Sequence, residues 1–332
     1  MTSQNRIYQQ NVWNRYEGPT WLVAILIYGG FGTTVVFSEV LGLAVALPIL
    51  TLLIAWQSSL THECVHGHPT KNVWLNSVIG GPPLSPHVPY ARYMDIHLHH
   101  HSVDHLTKPG LDPESFYFTP SEWQRLSPFM RRLHTFNMTL LGRMIVGPLM
   151  DAMTSISADF WAILNGDKRI AAIWLGQAGL VTALFVLLGL YGITWWQYIL
   201  FCVYPASGLM RVRSFLEHRP GPTQSKRTAI VESGWFWSLL FLNNNLHVVH
   251  HDRPRIPWYQ IPAYYRANKA AIAKKNGGYV MPSYGAVFRN YFFKPLDVPV
   301  HLPIVASGTT SPAITVLHES VSLPHTATEP QI

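Results

Sequence analysis

The chain has 332 residues, of which only 12% are charged, 48% hydrophobic and 13% aromatic, a composition that excludes an ordinary soluble domain and suits a membrane interface. Its net charge of +7 is spread through the polar segments between apolar runs and forms no clustered stripe, which excludes nucleic acid as a partner and fits an anionic membrane face. Of the two cysteines, Cys64 lies beside a histidine pair and Cys202 inside an apolar run, so neither a disulfide framework nor a CxxC zinc site is expected.

Residues 1–19 are too long and polar for the n-region of a signal peptide and read as a retained cytoplasmic arm. Residues 20–37 and 40–56 each approach the ~20 apolar residues that cross a bilayer, with only Ser38 and Glu39 left for a tight turn. A second pair, 171–191 and 194–210, is joined by a turn whose Trp195 and Trp196 suit an interfacial belt. The stretches Met138 to Met153 and Trp235 to Leu246 are shorter, with polar interruptions, and are expected to lie as interfacial helices. Lysine and arginine fall in the long connections, among them Arg92, Arg131, Lys168, Arg213 and Lys226, and are absent from the short turns. The positive-inside rule then puts both termini and the long central connection in the cytoplasm. The tail over 302–332, rich in Pro, Ser and Thr, is expected to be disordered, and its His318 and His325 incidental. The expected fold is an all-α integral membrane protein over 20–301: four transmembrane helices in two hairpins, under a helical cytoplasmic cap that holds a di-metal site.

The chain has 17 histidines, most of them in four places. "HECVH" directly after the second span puts His62 and His66 at i, i+4, one face of a continuing helix. "HLHHH" offers His97, His100 and His101 at i, i+3, i+4, with His99 turned away. "HVVHH" repeats that spacing with His247, His250 and His251. His218 in "RSFLEHRP" follows the fourth span alone, and gains ligand status only from its position among the others. His68, His87, His105 and His134 lack a paired spacing and read as surface or supporting residues. Glu63, Asp104, Glu217, Asn244 and Asp252 are the polar groups expected to orient imidazole N–H bonds. An even number of crossings returns every cluster to one membrane face, and nine imidazoles exceed the needs of one ion, so the count points to two metals. Imidazole suits Zn, Cu, Fe and Ni alike. A metal pair at the mouth of an apolar bundle meets lipid-soluble substrates, however, and oxidation of unactivated C–H bonds calls for iron activating O2.

In this order the three motifs resemble the signature of the membrane fatty acid desaturase and hydroxylase superfamily, an HxxxH box followed by two HxxHH boxes. "HLTKPGLDPESFY" and "NNNLHVVHHDRPRIPWYQIP" resemble the bacterial fatty acid desaturases in particular. The resemblance covers about 20–262. It implies a di-iron centre ligated by His62, His66, His97, His100, His101, His247, His250 and His251, with His218 matching an extra histidine of characterised relatives. It further implies O2 as co-substrate, removal of two hydrogens from a membrane-lipid or acyl-carrier chain, and residence in a bacterial inner membrane. The third box begins with His where front-end desaturases carry Gln. No HPGG or flavin fingerprint stands in the chain, so electrons are expected from a separate ferredoxin or cytochrome-type carrier, for which an acidic protein would suit the basic surface. Carotenoid ketolases and hydroxylases share the histidine plan, and "PRIPWYQIP" is similar to a segment of the ketolases. A histidine-rich metal transporter would carry ionisable ligands inside its spans, and the four expected spans contain no His, Asp or Glu.

Overall fold

The computed structural model describes residues 12–301; the tail over 302–332 with its His318 and His325, and the first part of the arm, 1–11, lie outside the described residues. Helix α1 (Gly18–Val36) starts with Pro19 in its first turn, where the missing N–H costs nothing. Gly18 is required there, because a Cβ would stand 2.2 Å from the Trp13 ring. The helix is apolar all round: Val23, Ile27, Phe31 and Val35 are buried, while Leu22, Ile25 and Leu26 face outward. That pattern fits a lipid-facing helix better than an aqueous one. A turn through Ser38–Leu41 and Gly42, at φ 72°, leads into α2 (Leu43–Val65). The expected second span therefore begins three residues later than its hydropathy predicts, and runs without a break into the first histidine box.

Helix α3 (Val73–Gly80) folds back on α2, and α4 (Tyr90–Ser102) carries the second box. The stretch from Met138 differs from the single interfacial helix expected: a short helix, Leu140–Ile145, breaks at Val146, and α5 (Gly147–Leu164) extends well past Met153. Helix α6 (Lys168–Leu190) is the most lipid-like, with Leu175 and Leu190 each more than three-quarters exposed. Among the described residues three helices, α1, α2 and α6, are long and apolar enough to cross a membrane.

The expected fourth span is helical but not one α-helix. Trp195–Tyr198 passes into a π-helical turn, Ile199–Val203, and then into α7 (Tyr204–Ser214). Pro205 has no N–H to give to the Phe201 carbonyl, and Thr51 Oγ1 of α2 donates to that carbonyl instead, at 3.0 Å. The proline thus frees an acceptor that ties the two hairpins together. A second tie joins their tips, where Ser38 Oγ donates to the Tyr191 carbonyl at 2.8 Å. Both tips therefore lie at one end of the bundle, and the histidines at the other. Between them runs a core that includes Ile27, Phe31, Leu50, Ile54, Leu188 and Tyr198.

Among the described residues the fold is helical, as expected, apart from a short parallel pair, β1 (Ile230–Val231) with β2 (Val280–Met281). One further expectation needs correction. The run from Trp235 to Leu246 is not an interfacial helix throughout: α8 (Trp235–Leu240) ends early, and Leu242 and Asn243 adopt φ of 46° and 58°. Asparagine tolerates this left-handed region, and the Asn side chains fix the turn. Asn243 Nδ2 donates to the Trp258 carbonyl at 3.0 Å and Asn245 Nδ2 to the Val231 carbonyl at 2.7 Å. The turn delivers the chain to α9 (His247–Asp252), which bears the third box, and α10 (Ile261–Lys275) packs against it.

Candidate metal centre

All nine histidines singled out from spacing converge, and they divide into two groups. In the first, one ring nitrogen from each of His62, His66, His97, His101 and His250 lies within 4.8 Å of all the others. In the second the same holds for His100, His218 and His251. His247 joins them, its Nε2 lying 3.1 Å from Nε2 of both His218 and His251. Neighbouring residues on a helix point about 100° apart, so each HH doublet sends one ring to each group. His101 and His250 serve the first, His100 and His251 the second. The three histidines of a box therefore do not share one target, although their spacing places them on one face.

The polar groups around the rings decide the tautomers. His97 Nδ1 meets Glu114 Oε1 at 2.8 Å, and His100 Nδ1 meets Asp112 Oδ1 at 2.7 Å. A carboxylate only accepts, so both Nδ1 atoms carry the hydrogen and both Nε2 atoms present lone pairs. His97 Nε2 lies 3.0 Å from His66 Nε2, and His100 Nε2 lies 3.1 Å from His218 Nε2. Two nitrogens bound to one ion at about 2.1 Å and about 90° apart would stand about 3.0 Å from each other. The donor set therefore fits a cation at the focus of each group.

Burial favours the neutral form of most of these rings, although at His100 the carboxylates of Glu114 and Asp112 outweigh burial and raise the pKa. Burial pushes His101 down to about 2, helped by His97 and His100, and His218 down to about 3, helped by His100. Burial followed by the neighbouring imidazoles likewise drives His66, His250 and His251 well below the usual range. Burial opposes ionisation of Glu114, yet the rings of His97 and His100 hold it well below the ordinary carboxylate range. Neutral imidazoles backed by ionised carboxylates are what metal ligation requires.

The carboxylates beside the boxes in sequence fare unequally. Glu63 Oε1 lies 3.5 Å from His62 Nδ1, and Glu217 Oε1 lies 3.6 Å from His247 Nδ1. Asn244 stands between the groups, its Oδ1 2.8 Å from His247 Nδ1 and its Nδ2 3.4 Å from His62 Nε2. Asp104 is exposed, with no histidine contact among the described residues, and Asp252 is exposed and paired with Lys275 at 2.6 Å. Their place is taken by Asp112 and Glu114, which the sequence reading did not select. The signal was present in "GLDPESFY", where Asp112 Oδ1 also accepts from the Glu114 N–H at 2.9 Å and Oδ2 from the Thr107 N–H at 2.7 Å. Of the unpaired histidines, His105 is exposed, His87 and His134 are half-buried, and His68 is buried with Nδ1 2.6 Å from Glu17 Oε1.

Nine histidines in two groups of this geometry narrow the families to which the chain can belong. The sequence profile described as Fatty acid desaturase matches residues 38–283. The chain belongs to the fatty acid desaturase family. The matched range takes in all three boxes and His218, and so all nine residues of this desaturase-family centre. A search of curated proteins gave no significant match.

Beside the second group this desaturase-family chain has a cavity of about 530 Å³. At one side of it Arg211 and Asp151 pair at 2.7 Å, their side chains 28% and 41% exposed. Deeper in, Arg213 and Glu217 approach to 2.9 Å, at 12% and 11%, next to His218. Thr107 Oγ1, Asn137 Oδ1, Arg211 Nε, Arg213 Nη1 and Ser214 Oγ are buried along its wall without a hydrogen-bond partner among the described residues. Each such group left stranded by an apolar occupant would cost about 1–3 kcal/mol.

Proposed function

We propose that this chain is a membrane oxidoreductase that oxidises C–H bonds of a lipid acyl chain with O2, introducing a double bond. The observation that carries the proposal is the division of nine histidines into two adjoining groups, each with ring nitrogens spaced as ligands of one ion. Two iron ions, held by His62, His66, His97, His101 and His250 and by His100, His218, His247 and His251, would supply the O2 chemistry, which no acid or base in the chain can provide. The chain's own residues act by positioning. Asp112 and Glu114 fix the rings of His100 and His97, and Asn244 orients His247. The histidines are ligands and not general bases.

The bundle crosses the membrane four times, the helical path from Trp195 to Ser214 being the fourth crossing. The tie between Ser38 and Tyr191 supports this reading, since it sets both hairpin tips at the end away from the histidines. The termini and the centre face the cytoplasm, where a separate ferredoxin or cytochrome-type protein delivers electrons. Residues 20–301 form the catalytic unit. Desaturation is preferred over oxygen insertion on the residues "HLTKPGLDPESFY", which carry both supporting carboxylates.

Expression in a host lacking desaturases, with lipid extracts analysed by mass spectrometry, tests the proposal. New unsaturated acyl chains are expected. Hydroxylated or ketolated products, or oxygenated carotenoids in a carotenoid-producing host, would replace desaturation by oxygen insertion.

A further inference from the structure

We propose that the buried pair Arg213 and Glu217 sets the reduction potential of the metal centre, Arg213 raising it and Glu217 lowering it. The inference rests on the two-ion, lipid-oxidation reading and adds the residues that govern how readily the centre takes electrons. Arg213 stands in the last turn of α7 and Glu217 follows it by four residues. Arg213 Nε lies 2.9 Å from Glu217 Oε1, and the same oxygen lies 3.6 Å from His247 Nδ1 in the second group. Arg213 also lies within hydrogen-bond reach of the Tyr93 hydroxyl. The Tyr93 ring in turn stacks on His97 of the first group, with centroids 5.3 Å apart and planes 15° from parallel. The pair therefore spans both groups.

A buried ion pair seldom stabilises a fold more than apolar side chains of the same volume would. This one is not tightly bonded either, since neither Arg213 Nε nor Glu217 Oε1 makes an aligned hydrogen bond among the described residues. Its field is what apolar side chains could not supply. With little water to screen it, a fixed cation disfavours loss of an electron from a nearby ion, and a fixed carboxylate favours it. Burial lowers His62 and His247 most and the neighbouring imidazoles next, but the charge of Arg213 adds to both, one ring in each group. Burial opposes that charge, yet Glu217, first among its neighbours, keeps the Arg213 pKa raised. Glu63, Asp112 and Glu114 also approach the rings and act in the direction of Glu217, so Arg213 opposes four carboxylates.

The test uses the full chain, loaded with iron and held in amphipol, in an anaerobic redox titration with small dye mediators. Mössbauer spectroscopy reads the ferrous fraction. The midpoint should fall in Arg213→Met and rise in Glu217→Gln, and the double variant should return toward the unaltered chain. Arg213→Lys, which keeps the charge but not the planar fork, should fall less than Arg213→Met. A merely structural pair would not give opposite shifts that cancel. Shifts of one sign in both single variants, or an unmoved midpoint in Arg213→Met, would overturn the proposal. Should Arg213→Met fail to fold because it strands Glu217, the double variant measured against Glu217→Gln isolates the same charge and must lie lower. Iron per chain and lipid products are scored separately. A chain that takes up no iron sinks the two-ion reading and the pair with it. Iron without lipid products sinks only the oxidation reading, and iron with an unmoved midpoint sinks only the pair.

Discussion

The rings of His101 and His251 stack with centroids 4.3 Å apart and planes 17° from parallel, although each belongs to a different histidine group. They are also the only two of the nine that are half-buried, the other seven being buried. The stack is thus the edge at which both groups come nearest to solvent.

The division into two groups predicts distinct losses from adjacent residues. His250→Ala removes a ligand from the first group and His251→Ala from the second, so each should lose about half of the bound iron while the chain still inserts. Metal analysis of the purified variants checks this. Complete retention of iron in either would detach that residue from the centre.

Asp112 fixes the tautomer of His100 through a buried contact, and Asp112→Asn replaces a pure acceptor by a group that can also donate. Iron affinity should fall about 10- to 100-fold, as for other groups that orient metal-bound imidazoles. Competition with a chelator measures it. Asp252→Asn, whose side chain pairs with Lys275 and with no histidine among the described residues, should leave the affinity unchanged.

The lowered histidines predict how the metal-free chain responds to pH. Folded His218 protonates near about 3 and His101 near about 2, against about 6.5 when unfolded. Below about 6.5 the unfolded chain therefore takes up protons that the folded chain refuses, and stability is full above that pH and lost progressively as it falls toward about 3. Thermal unfolding of the chelator-treated chain from pH 8 to 5 should show a falling midpoint. A flat profile would contradict the assignment of these rings as buried and neutral.

The asparagine turn before the third box can be probed by backbone alone. Asn243→Ala loses the bond to the Trp258 carbonyl and places a less tolerant residue at φ 58°, at a cost of about 1–2 kcal/mol. Asn243→Gly should recover the backbone part. Denaturation midpoints in detergent separate the two contributions.

Much of the centre was legible in the sequence because metal ligation imposes spacing. HxxxH and HxxHH declare helical faces, and every histidine chosen on that basis lies in one of the two groups. Asp112 and Glu114 were missed for the complementary reason: they reach the rings from a loop, where no period relates them to a box. Asp104 and Asp252 show the converse, since closeness in sequence to a histidine on a helix does not set the direction of the side chain. The first hairpin followed from hydropathy. The π-helical turn did not, because it depends on Thr51, far away in the chain, accepting the consequence of Pro205. The short helix before the asparagines was likewise hidden, since an apolar run reads alike whether it spirals or turns.

Each HH doublet joins its two rings through one peptide unit, and that has a mechanical consequence. His100 with His101, and His250 with His251, yoke the two groups so that a shift of α4 or α9 carries a ligand of both at once. The distance between the two foci is then governed by covalent geometry within α4 and α9, and not by the tilt of the lipid-facing helices. Changes in bilayer thickness that lean α1 or α6 would reach the substrate's path well before they altered the separation at which the pair works.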